Sequence, residues 1–411
     1  MSTRKQPHHC DILISGGGIA GLTAATAFGT AGFQVVCVDP LPPVTERDVA
    51  GSDLRSTAIL QPARGLLERC GLWDRYAPFA QPLQIMRIVD AGGAGPTPRV
   101  VREFDAADIS DQPFGWNLPN WLLRRELVAR LRDMPDVDFR PGTGTSGLFT
   151  RTGEARVRLS DGTQMRTRLV LACDGRGSPM RTAAGIGVRT MRYGQKALAF
   201  AVTHERPHEN VSTEIHRTGG PFTLVPLPDH EGRPSSAIVW MEDGPKAQAL
   251  LGMQPSAFEA AMTDRSCGLF GPLTLASRRT IWPIISQTAE RLVSERLALM
   301  AEAAHVVPPI GAQGLNMSLA DLRCLLHLAE ARPEGLGDVQ MLDAYARARM
   351  TDIRLRVQGI DLLNRASMVH ARPLRDARAG GLGALYALRP VRRTLMQMGL
   401  GLRSAAPAQS T

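Results

Sequence analysis

Residues 11–39 read DILISGGGIAGLTAATAFGTAGFQVVCVD. From Ile12 to Val38 there is no charged residue, and the run is long enough to cross a bilayer. Its internal punctuation argues against a span. A short apolar run (ILIS) meets three consecutive glycines, then a helix-like segment, then a β-branched run (QVVCV). The pattern predicts strand–turn–helix–strand. Gly16, Gly18 and Gly21 spell G-x-G-x-x-G at the strand-to-helix turn. Gly16 permits a tight turn, Gly18 lets backbone approach a pyrophosphate, and Gly21 allows close strand–helix packing. The free N–H groups of the helix start favour negative charge. Asp39 ends the second strand, where a carboxylate can accept hydrogen bonds from a ribose hydroxyl. The fold-deciding unit is therefore a dinucleotide-binding βαβ start. The motif alone does not choose between NAD and FAD.

Two further stretches work with it. LVLACDGRGSPMR, residues 169–181, is an apolar strand running into Asp174–Gly175. By itself this reads first as an ordinary Asp-Gly turn, and its partners give it more. AEAAHVVPPIGAQGLNMSLAD, residues 301–321, follows the apolar run LALM. Pro308 and Pro309 fix φ and remove two donors, so the loop is rigid and extended. Leu315, Leu319, Leu322 and Leu326 then fall at helical spacing. Free helix N–H groups are expected near Gly314, Leu315 and Asn316.

Composition bounds the rest. The 411 residues can bury a sizeable core, and apolar and charged fractions of 44% and 21% exclude a disordered chain. None of the six cysteines forms a C-x-x-C pair, so neither a zinc site nor a disulfide framework is suggested. No nucleophile triad or metal-ligand cluster is legible. Residues 347–403 carry twelve Arg against three Asp, a surplus equal to the net charge of the whole chain, +9. Apolar runs interleave with this charge, but none is long and uncharged enough to span a membrane. No nucleic-acid-binding motif accompanies it, so nucleic acid is not expected as a partner.

In order and separation, the three stretches resemble the class A FAD-dependent aromatic monooxygenases, the para-hydroxybenzoate hydroxylase fold group. PPIGAQGLNMSLAD is especially similar to the ubiquinone-biosynthesis hydroxylases. The resemblance covers nearly the whole chain. It implies that Gly16, Gly18, Gly21 and Asp39 hold the ADP half of FAD, and that Asp174 lies near the pyrophosphate. Glu302, Gly314, Leu315 and Asn316 would hold the ribityl chain and flavin ring, with the Pro309 backbone as a wall of the site. SDLRSTAIL, residues 52–60, is similar to a family segment that places Arg55 near the flavin and phosphates. PNWLLRREL, residues 119–127, is similar to one that contacts the ribose and phosphates through Arg124, with Arg125 as the alternative. The sequence departs from the family at Ala301–Glu302, where Gly-Asp is usual. Glu keeps the carboxylate on a longer arm and is expected to accept from a ribityl hydroxyl. His305 is expected to be structural.

The implied fold is α/β: a Rossmann-like FAD-binding domain, an inserted antiparallel β-sheet substrate domain (an α+β part) and C-terminal helices. The alternating runs KALAFAVTHE, STEIHR, FTLVPLP and SAIVWMED carry the antiparallel signature. Expected boundaries are 1–80, 100–190 and 280–360 for the FAD domain, and 81–99 and 191–279 for the substrate sheet. A basic helical segment at 361–404 and a disordered tail at 405–411 complete the chain. The implied reaction is hydroxylation of a polyprenylated phenol or benzoquinone precursor in ubiquinone biosynthesis, through a flavin C4a-hydroperoxide, with O2 and NAD(P)H or another donor. Two alternatives stay open. One is a hydroxylase or reductase of another small aromatic or isoprenoid; the other is a non-catalytic FAD-binding scaffold of a biosynthetic complex. The basic end points to peripheral attachment at an anionic membrane surface, on the cytoplasmic face of a bacterial membrane, and other ubiquinone-biosynthesis proteins are possible partners.

Overall fold

The computed structural model describes residues 8–92, 97–369, 380 and 386–401. The expected tail at 405–411, and residues 370–379, 381–385 and 402–404 of the basic segment, lie outside the described residues.

The elements that bear on the site run as follows. β1 (His8–Ser15), α1 (Ile19–Thr30) and β2 (Val35–Asp39) open the chain, followed by β3 (Ser56–Leu60). Next come β4 (Ile85–Asp90), β5 (Val100–Asp105), β6 (Gly115–Pro119) and α2 (Asn120–Arg132). β7 (Gln164–Ala172), β8 (Val188–Thr203), β9 (Val211–His216), β10 (Pro221–His230), β11 (Arg233–Asp243) and β12 (Thr280–Ala289) form the middle. β13 (Leu297–Leu299), α3 (Gln313–Ala331), α4 (Val339–Met368) and α5 (Arg389–Leu400) end it.

In the first sheet β1 lies between β2 and β7, parallel to both, and β13 continues it beyond β7. A parallel strand covered on both faces needs a continuous apolar run. Ile12, Leu13 and Ile14 meet that need and are fully buried. α1 has no single apolar face because it is enclosed, with every residue from Gly21 to Gly29 buried. The uncharged run is thus core, and among the described residues no helix is long and apolar enough to cross a membrane.

Among the described residues the second sheet has nine strands, with β12, β8, β11, β10, β9, β4 and β5 adjacent in that order. Along this order neighbours pair antiparallel, except β9 and β4, which run parallel. Two expected boundaries move. Residues 100–105 and 280–289 hydrogen-bond into this sheet rather than the first, because β5 pairs with β4 and β12 with β8. β3 and β6 belong to a small third sheet, of three strands among the described residues.

Candidate cofactor and substrate site

A cavity of about 1100 Å³ is lined by the glycine turn, the Asp174 turn, the 301–315 loop and the inner face of the second sheet. That exceeds a typical single-ligand pocket, so it has room for a dinucleotide and a second molecule.

The three glycines play separate parts. Gly16 has φ +110°, and a Cβ there would collide with the Cys173 carbonyl. A Cβ on Gly21 would collide with the Gly16 carbonyl. A Cβ on Gly18 meets nothing within 4 Å and would project into open space. Gly18 is also the N-cap of α1, with no side chain capping the helix. The free N–H groups there are left for a ligand, as an anion cradle requires.

Asp39 lines the cavity and accepts from Gly17 N at 2.6 Å and Leu41 N at 2.8 Å. Asp174 Oδ2 accepts from Ser15 Oγ and Met180 N, both at 3.1 Å. Its Oδ1 is buried and has no hydrogen-bond partner among the described residues. Burial pushes the Asp174 carboxyl up from its ordinary value, against the hydrogen bonds from Ser178, Met180 and Ser15. An orphaned carboxylate oxygen of this kind is costly unless a ligand completes it.

Asp53 organises the next group. It holds Arg55 through Nε at 2.8 Å and Nη2 at 2.7 Å, takes Asn120 Nδ2 at 3.0 Å, and lies 3.8 Å from Arg124. Burial alone would raise its pKa, but Arg55, Asn120 and Arg124 outweigh it and hold the carboxyl below its ordinary value. The segment SDLRSTAIL points to Arg55, but the residue that fixes Arg55 is Asp53, which the sequence pattern does not mark. Arg55 and Arg124 line the cavity. Arg125 pairs instead with Glu126 at 2.8 Å and stacks on Trp121 and Phe79. The geometry thus favours Arg124 of the two candidates.

The 301–315 loop is built on left-handed residues. Ala301 has φ +56°, the conformation that favours glycine, so this departure from Gly-Asp stores backbone strain. Glu302 follows on a short 3-10 turn, exposed and lining the cavity. Pro309 is exposed on the same wall, while Pro308 is buried. Ala312, also at φ +56°, is the N-cap of α3, again without a side-chain cap. Gly314 and Leu315 line the cavity.

Asn316 departs from expectation. In a helix capped at Ala312 the free donors precede position 316, whose N–H enters the helical ladder. Its side chain accepts from Leu60 N at 2.9 Å and donates to Ala58 O and Ala312 O, both at 2.7 Å. Asn316 therefore clamps β3 to α3, and the free donors are those of Gln313, Gly314 and Leu315. Sequence spacing alone places that group one residue too far along.

His305 is buried, with Nε2 2.6 Å from Asp321 Oδ2. Asp321 Oδ1 accepts from Arg349 Nε at 2.8 Å, and Arg349 also meets Asp352 at 2.8 Å. This buried network ties the loop to α3 and α4, the structural role expected of His305.

A family model described as "FAD binding domain" matches residues 9–358. The chain is 33% identical to ubiquinone hydroxylase UbiL of Rhodospirillum rubrum, over 97% of this chain and 91% of that one. It is 26% identical to the 3-demethoxyubiquinol 3-hydroxylase of Escherichia coli, over 95% of this chain and 98% of that one. Among solved structures, p-nitrophenol 4-monooxygenase PnpA of Pseudomonas putida superposes with a TM-score of 0.78 at 19% identity, over 98% of this chain and all of the other, a likeness of fold.

Proposed function

Since the chain belongs to the FAD-binding-domain family and is an FAD-dependent monooxygenase, we propose that it hydroxylates the ring of a polyprenylated phenol or benzoquinone precursor in ubiquinone biosynthesis. The observation that carries this reading is the single cavity shared by the glycine turn and the apolar inner face of the second sheet.

FAD held in this cavity, reduced by NAD(P)H or another electron donor, would supply the two-electron activation of O2 that the protein lacks by itself. The chain's residues bind and orient. Gly16, Gly18, Gly21 and the α1 N-terminus would take the pyrophosphate, Asp39 a ribose, and Asp174 and Arg124 the adjoining phosphate region. Arg55, held by Asp53, supplies positive charge beside the 301–315 loop. The N–H groups at the start of α3 stabilise negative charge on the flavin ring. Pro309 and the β-sheet exclude water. Glu302 accepts from the ribityl chain. Glu302→Ala is then expected to weaken FAD binding by about ten- to a hundredfold, and Glu302→Asp by less, since one hydrogen bond to a charged group contributes about 1.5–3 kcal/mol. Flavin released from each purified variant measures this, and equal retention would remove Glu302 from the site.

A strain lacking this chain should accumulate a prenylated precursor one ring hydroxyl short of the chain's product, as read by mass spectrometry of extracted lipids. An unchanged lipid profile would contradict the reading.

The finer reading is peripheral attachment to an anionic membrane. α5 carries Val391, Leu395 and Met398 on an outward stripe, the last at 53% exposure, with Leu388 preceding them. It links both halves of the molecule: Gln313 donates to Gly399 O at 2.9 Å, and Arg392 pairs with Asp108 at 2.8 Å. Arg392 is therefore committed within the protein, and Arg389 and Arg393 are the exposed charges available to lipid. Co-sedimentation with phosphatidylglycerol vesicles at low salt is expected, and is lost in Leu395→Glu/Met398→Glu and weakened in Arg389→Gln/Arg393→Gln. Unchanged sedimentation of both variants, or none by the parent, would contradict attachment.

A further inference from the structure

We infer that Glu214 receives the hydroxyl of a neutral phenol in the cavity and selects against rings that carry a carboxylate. This rests on the hydroxylase reading above and names its substrate class.

β9 alternates cleanly. Val211, Thr213 and Ile215 are buried on one side of the strand, and Ser212 and Glu214 face the cavity on the other. Glu214 sits opposite Ile88 of β4 and Thr223 of β10, and the row continues through Val239 of β11 to Ala199 of β8. Among the described residues, Glu214 is the one side chain of ordinarily fixed charge that the second sheet contributes to the cavity lining. The sheet otherwise presents apolar and hydroxyl groups there, such as Met86, Thr223, Val225 and Trp282.

Among the described residues, no arginine or lysine pairs with Glu214. Arg102 of β5 lies in the same cross-strand row, opposite Ile88, but its guanidinium donates to Val101 O at 2.8 Å and lies 5.3 Å over the Tyr386 ring. Arg55, Arg124 and Arg176 line the cavity from other elements, and Arg55 is held by Asp53.

His216, two residues along and on the same face, orients the carboxylate. Its Nε2 lies 2.8 Å from Glu214 Oε1, with side-chain exposures of only 13% and 15%. A carboxylate accepts and does not donate, so the imidazole N–H is the donor. That leaves Oε2 to accept a phenol O–H. Hydrogen bonding to a carboxylate raises electron density on the ring, which favours attack by an electrophilic oxygen. A benzoate-type ring would bring a second negative charge beside the largely buried Glu214 carboxylate, and like charges there repel.

The test uses the FAD-loaded protein, oxidised and without reductant, so that no turnover occurs. The probes are 2-prenylphenol and 4-hydroxy-3-prenylbenzoate, and their Kd values are read from the change in flavin absorbance. The parent is expected to bind the phenol at least about tenfold more tightly than the benzoate. Glu214→Gln should weaken phenol binding and lose most of that preference. Glu214→Arg should reverse the preference, and if it fails to retain FAD the Gln variant decides. Equal affinities in the parent, or an unchanged preference in FAD-loaded Glu214→Gln, would overturn the assignment while leaving the hydroxylase reading intact. Binding of neither probe by the FAD-loaded parent would overturn both.

Discussion

Gly18→Val is expected to give a folded but colourless protein. The backbone at Gly18 is extended (φ −70°, ψ 175°), which valine adopts readily, and its added Cβ touches no protein atom. The substitution therefore costs the fold little. It fills the space through which a pyrophosphate would approach the α1 N-terminus, and FAD affinity should fall by at least about a hundredfold. Gly21→Val is the contrasting case. Its Cβ would collide with the Gly16 carbonyl, so it should fail to fold whether or not FAD is supplied. Circular dichroism with flavin absorbance separates the two outcomes. A yellow Gly18→Val protein would show that the pyrophosphate lies elsewhere.

The second large effect lies behind the cofactor loop. Asp321 is fully buried between His305 and Arg349. Replacing it with Ala leaves Arg349 with one of its two carboxylates and His305 with none. Breaking a buried ion pair in this way typically costs about 3–5 kcal/mol. The sign of the pH dependence follows from the lowered pKa of Asp321. Burial raises that pKa, but His305 and Arg349 outweigh it. The contribution is complete above the unfolded carboxyl value of about 3.9 and is lost as pH falls through the lower folded value. Urea denaturation at neutral pH should show the full loss in Asp321→Ala, and the gap to the parent should close only in strong acid. A gap that closes well above about pH 4 would contradict the assignment of this dependence to Asp321.

Local backbone chemistry was the part most legible in the sequence. The βαβ opening, the Asp174 turn and the Pro-Pro loop into α3 are specified by glycine, proline and helix-start residues acting over a few positions. What the sequence withheld depends on partners distant along the chain. Nothing in residues 85–90 announces a parallel pairing with 211–216, and nothing in 280–289 says that it joins β8 rather than the first sheet. Asn316 sits where helix-start donors are expected, yet tertiary contact with Ala58 and Leu60 decides its work. Glu214 and His216 lie in an alternating strand whose inward face becomes visible only once its neighbours are placed. Asp53 lies two residues from Arg55, and only the folded geometry shows that its carboxylate holds the arginine.

The most direct test of the account is the origin of the oxygen in the product. The purified FAD-loaded protein, given NAD(P)H and 2-prenylphenol under 18O2, should yield a hydroxylated ring carrying one 18O atom, and Gly18→Val should yield none. Product oxygen drawn from H2(18)O under 16O2, or NAD(P)H oxidation with no ring hydroxylation for any prenylated phenol or quinol, would contradict it.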